Sequence, residues 1–318
     1  MDTHDIIKKS IPHRYENILI DTFTRPETDI KEGSFTLRIQ EKDSLNRHLF
    51  LKKLNDTKSA YMSTFIMETL ALGAILTANT ENKKVNAFFA CITKFKKEGH
   101  FISEQTNNGT CLEKSVKQGF YRYSGRFKNK TAESSGDILA FFTFEEPTQT
   151  SSEKKKVTLP TLQTPQPIEP PTYKDPCMFT IDTLVSLDKE KKEMIATYTY
   201  PETHPLIKGH FPGNPIMMGV MQWMMIEDAC YTFSKLLPNE ITKKGTSYIH
   251  CNAIIYKKDG TLACEINKAT VAIYNNHTDI VNQADIIATH KVLFRDMVYP
   301  NDTLFIQLTI NDITHEAI

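Results

Sequence analysis

The segment from His204 to Ala229, "HPLIKGHFPGNPIMMGVMQWMMIEDA", places a histidine directly before a turn and an apolar helix. The Pro-Gly pair after His210 predicts a rigid turn that fixes the direction of the imidazole. Gly219 stands where the helical run begins, and the first backbone N–H groups of a helix have no intrahelical partner. A base beside such donors is the minimum set for removing a proton next to a carbonyl group.

This set has no acid of its own. The helix after Gly219 carries no carboxylate before Glu227, which is about two helical turns further on and too distant to act beside His210. Glu227 and Asp228 are instead expected to be charges on the helix surface.

A carboxylate in an unusual setting occurs in the first half of the chain. The run "AYMSTFIMETLALGAILTA" is apolar on nearly every face, and such a helix is enclosed by other elements rather than laid on a surface. Glu68 is the only charged residue between Tyr61 and Ala78. A buried carboxyl group is costly unless it is paired or protonated, so Glu68 is a candidate functional acid.

The order of elements indicates an internal duplication. A proline-rich segment without hydrophobic periodicity predicts an extended linker over 146–176, between domains at 1–145 and 177–318. Each half contains a short extended segment, an alternating strand, a long apolar helix and then strand-rich sequence. The helices are expected at 60–80 and 217–237. This pattern predicts an α+β fold that is built twice.

Composition excludes several classes of function. Lysine plus arginine equals aspartate plus glutamate at 38 each, which argues against a nucleic-acid or anionic-membrane partner. The N-terminus lacks the apolar core of a signal peptide, and no uncharged run is long enough to span a bilayer. The six cysteines form no CxxC pair and are expected to be buried thiols in a reducing cytoplasm. No nucleotide or metal motif is present, so neither a cofactor nor a metal is expected.

The residues "GHFPGNPIM" at 209–217 resemble the β-hydroxyacyl thioester dehydratases of the hotdog fold. Met218 replaces the proline that this family usually has before Gly219. "IPHRYENILID" at 11–21 and "VLFRDMVYPNDTLFIQL" at 292–308 resemble other segments of the family. The resemblance implies two hotdog domains, each an antiparallel sheet wrapped around a central helix, which form an intramolecular pseudo-dimer.

The resemblance also implies roles for individual residues. His210 would remove the C2 proton of a 3-hydroxyacyl thioester, a carboxylic acid would protonate the departing 3-hydroxyl, and the N–H of Gly219 would bind the thioester oxygen. The expected substrate-binding residues around them are Phe211, Pro212, Gly213, Met218 and Val220. The family's acid lies five residues after the glycine; that position is Met224 in the second half, whereas Glu68 matches the acid position in the first.

The two halves have complementary defects. The position in the first half that corresponds to His210 is Leu54, and His48 would need an insertion to take its place. Because the family's sites combine a base and an acid from opposite protomers, His210 is predicted to face Glu68 in one composite site. The pair of Leu54 and Met224 would leave the other site inactive.

The predicted activity is dehydration of 3-hydroxyacyl thioesters to trans-2-enoyl thioesters in fatty-acid, polyketide or polyene synthesis. The resemblance implies a substrate carried by an acyl carrier protein or coenzyme A, and further pairing of two chains stays open. A glutamate at the acid position makes the chain more similar to the plain dehydratases than to the dehydratase–isomerases. The alternatives are a non-catalytic acyl-binding or scaffolding double hotdog, and a hotdog thioesterase or enoyl hydratase.

Three other features carry less weight. His13, Arg14 and Tyr15 are expected to be packing or dimer-contact residues. Trp223 and the methionines of its helix are expected in the core, with the lining of an acyl tunnel as the alternative.

In the second half, the hairpin-like sequence at 248–274 precedes the strand at 292–308, whereas the family has the reverse order. Either the strand order is permuted or one of the two likenesses is false.

Overall fold

The computed structural model describes residues 3–25, 31–78, 86–143, 154–159, 164–210 and 212–316. Its helices are α1 (Thr3–Ser10), α2 (Ser63–Ala78) and α3 (Gly219–Leu236). The strands of the first half are β1 (Thr22–Thr24), β2 (Glu32–Leu37), β3 (Leu51–Asn55), β4 (Lys58–Tyr61), β5 (Asn86–Glu98), β6 (Asn107–Lys117), β7 (Phe120–Lys128) and β8 (Glu133–Thr143). Those that follow are β9 (Gln166–Pro167), β10 (Thr183–Asp188), β11 (Glu193–Thr199), β12 (Gly245–Lys257), β13 (Leu262–Asn275), β14 (Gln283–Phe294) and β15 (Thr303–Glu316).

The two long helices are enclosed, as their composition predicts. Almost every side chain of α2 is buried, and α3 is buried along most of its length. A helix that is apolar on all sides loses the most water-exposed surface when a sheet wraps around it. In each half the antiparallel strands supply that wrapping, so the predicted α+β arrangement of sheet around central helix occurs twice.

One continuous antiparallel sheet joins the two halves. Within the described residues, its thirteen strands run in the order β1-β2-β6-β7-β8-β5-β14-β13-β12-β15-β11-β10-β9, and β3 and β4 form a separate hairpin. The join is the pairing of β5 with β14, in which Ile92 lies opposite Val292. The halves therefore pair within one chain as two hotdog protomers would, and the fold prediction is confirmed.

The second half has a permuted chain order but the same arrangement in space. Counted outward from the join, the first half reads β5, β8, β7, β6, β2, β1, and the second reads β14, β13, β12, β15, β11, β10. In the first half the strand at the join directly follows the helix, whereas in the second the hairpin of β12 and β13 comes first. The strand order of the second half is therefore permuted relative to the first, as one of the two alternatives predicted; the two sequence likenesses stay predictions.

The described parts of the proline-rich segment contact both halves. β9 pairs with β10, Lys156 forms an isolated bridge with Thr261, and Lys174 forms one with Lys52 of the first half. The domain boundaries at 145 and 177 stay a prediction. No helix in the described ranges is long and apolar enough to cross a membrane.

Candidate active site

The turn before α3 holds His210 in a fixed orientation. A single 3₁₀ turn, Pro205–Lys208, leads into it, and the backbone N–H of His210 donates to the carbonyl oxygen of Leu206 at 3.1 Å. The Nδ1 atom of His210 lies 2.9 Å from the carbonyl oxygen of Ile216. A carbonyl oxygen can only accept, so Nδ1 carries the proton and Nε2 of the neutral ring carries the lone pair. His210 is buried, with 6% of its surface exposed.

Glu68 lies in the middle of the apolar helix α2 and is 3% exposed. Burial raises the pKa of its carboxyl group to about 7, against a smaller opposing effect of His210. A large fraction of Glu68 is therefore protonated at neutral pH, which is the state that a general acid requires.

The N-terminal segment brings a third side chain, His13, to the same place. The N–H of Arg14 donates to the carbonyl oxygen of Gly209 at 2.9 Å, and the side-chain amide of Asn17 donates to the carbonyl oxygen of Leu206 at 3.2 Å. A Cβ atom on Gly209 would come within 2.2 Å of the carbonyl oxygen of Arg14, so this close approach requires glycine.

These three side chains converge from both halves of the chain. His13 Nε2 lies 3.5 Å from Glu68 Oε1, and the ring centroids of His13 and His210 are 5.2 Å apart. One nitrogen or oxygen atom from each of the three lies within 4.8 Å of the others. Sequence reasoning placed His13 among packing or dimer-contact residues. The available signal was its place in "IPHRYENILID", one of the segments that resembles the dehydratases.

Both imidazoles are held neutral. Burial, with a further contribution from His13, lowers the pKa of His210 to about 4, although Glu68 and the Ile216 carbonyl oppose this. Burial and the neighbouring charge of Arg14 lower the pKa of His13 to about 3. At neutral pH a neutral imidazole of His210 thus faces a carboxyl group that retains much of its proton, which is the pairing that proton removal and proton donation need.

Gly219 is the first residue of α3, and its N-cap, Met218, makes no side-chain capping bond. A Cβ atom at Gly219 would lie 3.2 Å from the ring of Phe294, so the lack of a side chain lets this ring pack closely against the start of the helix.

The expected substrate-binding residues have different environments. Pro212 and Gly213 lie in an exposed turn, and Gly213 has a φ of 85°. Met218 and Val220 are fully buried at the start of α3. Phe211 lies outside the described residues. Contacts between these five residues and a substrate stay predictions.

Comparison with known proteins gives a family match within the second half. Residues 186–255 match the model of the ApeI-like family, described as ApeI dehydratase. The resemblance to the hotdog dehydratases is confirmed. The matched residues of this dehydratase-type segment include the whole of α3 and the His210 turn. A comparison with curated proteins finds no significant match.

Solved structures of dehydratases are similar to this chain at low sequence identity. The dehydratase heterocomplex ApeI:P from Xenorhabdus doucetiae is 12% identical, with 42% of this chain and 89% of that chain covered and a TM-score of 0.32. The dehydratase domain from the CurF module of the curacin polyketide synthase is 10% identical, with 94% of this chain and 98% of that chain covered and a TM-score of 0.45. The dehydratase domain from the CurK module of the same synthase is 8% identical, with 86% of this chain and 96% of that chain covered and a TM-score of 0.46.

The two positions that the resemblance matches to a second base and a second acid are apolar. Leu54 is 7% exposed and Met224 is 1% exposed, and neither can transfer a proton. His48 is exposed on the 3₁₀ turn before β3. Trp223 is buried, and its ring packs edge-on against the ring of Phe95 with 4.8 Å between the ring centroids, as expected for a core residue.

The interior also contains a buried network of charges. Lys52 Nζ is 2.9 Å from Asp285 Oδ1 and 3.2 Å from Glu227 Oε1, and Lys97 also pairs with Asp285. Ser63 Oγ, at the start of α2, donates to Asp285 Oδ1 at 2.5 Å. Lys52, Lys97 and Ser63 come from the first half and the two acids from the second. The network therefore joins the two halves.

The expectation that Glu227 and Asp228 are surface charges is wrong. Glu227 is 1% exposed and pairs with Lys52, and Asp228 is fully buried and pairs with Lys174. Burial alone would lower the pKa of Lys52, but Asp285 and Glu227 outweigh it and raise that pKa. The acids of α3 are thus stabilised by lysines that lie far away in the sequence.

Proposed function

We propose that the chain is a dehydratase that converts 3-hydroxyacyl thioesters into trans-2-enoyl thioesters at one composite site between its two hotdogs. The observation that carries this proposal is the approach of Glu68 and His210, from opposite halves of the chain, to within 4.8 Å. A neutral base and a carboxyl group at that separation can act on adjacent carbons of one bound substrate.

The proposed reaction uses the two groups together. Nε2 of His210 takes the proton from C2, and the thioester oxygen accumulates charge that the N–H groups at Gly219 stabilise. Glu68 donates its proton to the 3-hydroxyl, the C3–O bond breaks, and water leaves as the C2–C3 double bond forms. Transfer of the proton from the imidazolium to the carboxylate restores both groups.

The proposed substrate is bound to an acyl carrier protein, with a coenzyme A thioester as the other carrier. The proposed setting is fatty-acid, polyketide or polyene synthesis. The CurF and CurK domains belong, by description, to modules of a polyketide synthase, and ApeI:P is described as a heterocomplex. These descriptions agree with a carrier-bound substrate and a partner protein.

An assay with purified protein tests the proposal. It would follow dehydration of 3-hydroxyacyl thioesters and hydration of trans-2-enoyl thioesters, each over several chain lengths and on both carriers. We expect reversible interconversion without release of free thiol. Thiol release would indicate a thioesterase, and saturable acyl binding without turnover would indicate a binding module. Either result would overturn the proposed reaction.

A further inference from the structure

We propose that His13, Glu68 and His210 also form a binding site for a divalent transition metal ion of the zinc type. The ion would occupy the composite site and block it. Within the described residues, these are the only three histidine, cysteine or acidic side chains close enough together to hold a metal ion.

The donor set matches a catalytic-type zinc site. Two imidazoles and one carboxylate, with a fourth position left for water, are a recurrent protein ligand set for zinc. Bonds of about 2.0–2.2 Å in a tetrahedral site place the donor atoms roughly 3.3 Å apart. His13 Nε2 and Glu68 Oε1 are already at 3.5 Å, and the whole set lies within 4.8 Å. Only small side-chain movements would complete the geometry.

The surroundings of two ligands favour metal binding. The Ile216 carbonyl accepts from Nδ1 of His210 at 2.9 Å, and such a contact to the second ring nitrogen orients metal-binding histidines. Glu68 Oε2 is buried without a hydrogen-bond partner among the described residues. An ion that the carboxylate binds through both oxygens would contact this buried atom as well as Oε1.

The chemistry of the donors selects the metal. Calcium and magnesium prefer oxygen ligands, whereas two imidazole nitrogens favour zinc, cobalt, nickel or copper. Because the three ligands come from the N-terminal segment, α2 and the turn before α3, no short sequence motif marks the site.

Binding of the ion would stop the proposed reaction, and this consequence rests on the proposed function. The metal would bond to the lone pair of His210 that takes the C2 proton. It would also displace the proton that Glu68 must donate. Metal and thioester could not occupy the site together, so inhibition should be competitive and a chelator should reverse it.

Titration with Co²⁺ tests the site independently of catalysis. The probe is Co²⁺ added to untagged, chelator-treated protein, followed by visible absorption and calorimetry, with Zn²⁺ as competitor. We expect one ion per chain, displaced by Zn²⁺. His13→Gln and Glu68→Gln should each weaken binding by at least about 10–100-fold. The matched control is His48→Ala, which removes an exposed histidine and should bind Co²⁺ like the wild type.

The outcomes separate this proposal from the proposed function. Absence of stoichiometric binding, or binding that survives both His13→Gln and Glu68→Gln in folded protein, would overturn the metal site while leaving dehydratase activity untouched. Stoichiometric binding that both variants lose, in a protein without dehydratase activity, would support the metal site and reject the reaction.

Discussion

Glu68 and His210 lie in different hotdogs of one chain, yet their side chains approach within 4.8 Å. The proposed reaction takes one group from each half, because the resemblance matches the second base and acid positions to Leu54 and Met224. A chain of this kind has the geometry for one site where a dimer of identical hotdogs has two.

The pH dependence of the dehydration should follow the two perturbed groups. Glu68 must keep its proton, and its pKa is raised to about 7, so the rate should fall as pH rises through that value. His210 must be neutral, and its pKa is lowered to about 4, so the rate should fall again below that value. Measured kcat/KM, which reports the groups of the free enzyme, should therefore decline between pH 5 and 9 toward the alkaline end; a kcat/KM that climbs through pH 7 to 9 would contradict the assignment.

Substitution of Gly219 should impair the reaction more than the fold. In Gly219→Ala the added methyl group would crowd the ring of Phe294 and keep the thioester oxygen from the helix N-terminus. Since displacement by about 1 Å can cost 10²-fold, we expect kcat/KM to drop by about that factor. Lys235→Ala, at the exposed far end of α3, is the control. Equal kinetics for the two variants would remove Gly219 from the site.

The contact between the N-terminal segment and the His210 turn should be sensitive to Gly209→Ala. The new Cβ would overlap the carbonyl oxygen of Arg14 and the amide of Asn17, so the segment that carries His13 must move. Overpacking of this kind typically costs about 1–3 kcal/mol, which urea denaturation would measure. Lys208→Ala changes the exposed neighbouring residue and should have little effect. Unchanged stability in Gly209→Ala would show that the segment does not need this close approach.

The buried charge network should matter for stability rather than for turnover. Lys52→Met would leave Asp285 and Glu227 in the interior without one of their cations, which typically costs about 3–5 kcal/mol. Lys53→Met alters the adjacent lysine, whose side chain is 46% exposed and pairs with the exposed Asp56. Urea denaturation should show a large loss for the first variant and little change for the second. Similar losses for both would contradict the role of the network.

Sequence alone predicts those features that depend on local pattern. The turn around His210, the enclosed helix with Glu68 and the duplicated element order each show within a few residues. The place of His13 depends instead on the packing of residues 14–17 against the His210 turn, which no local spacing records. Glu227 and Asp228 look like surface charges because their partners, Lys52 and Lys174, lie 175 and 54 positions away. The permuted strands became interpretable only when their neighbours in the sheet were known.

The central claim is that base and acid come from opposite halves of the same chain. Steady-state dehydration by His210→Ala, by Glu68→Gln and by an equimolar mixture of the two variants tests it most directly. We expect each variant to lose about 10²–10⁴-fold in kcat, and the mixture to be no more active than its components. Wild-type activity in either folded variant, or recovery of activity on mixing, would contradict a composite site within one chain.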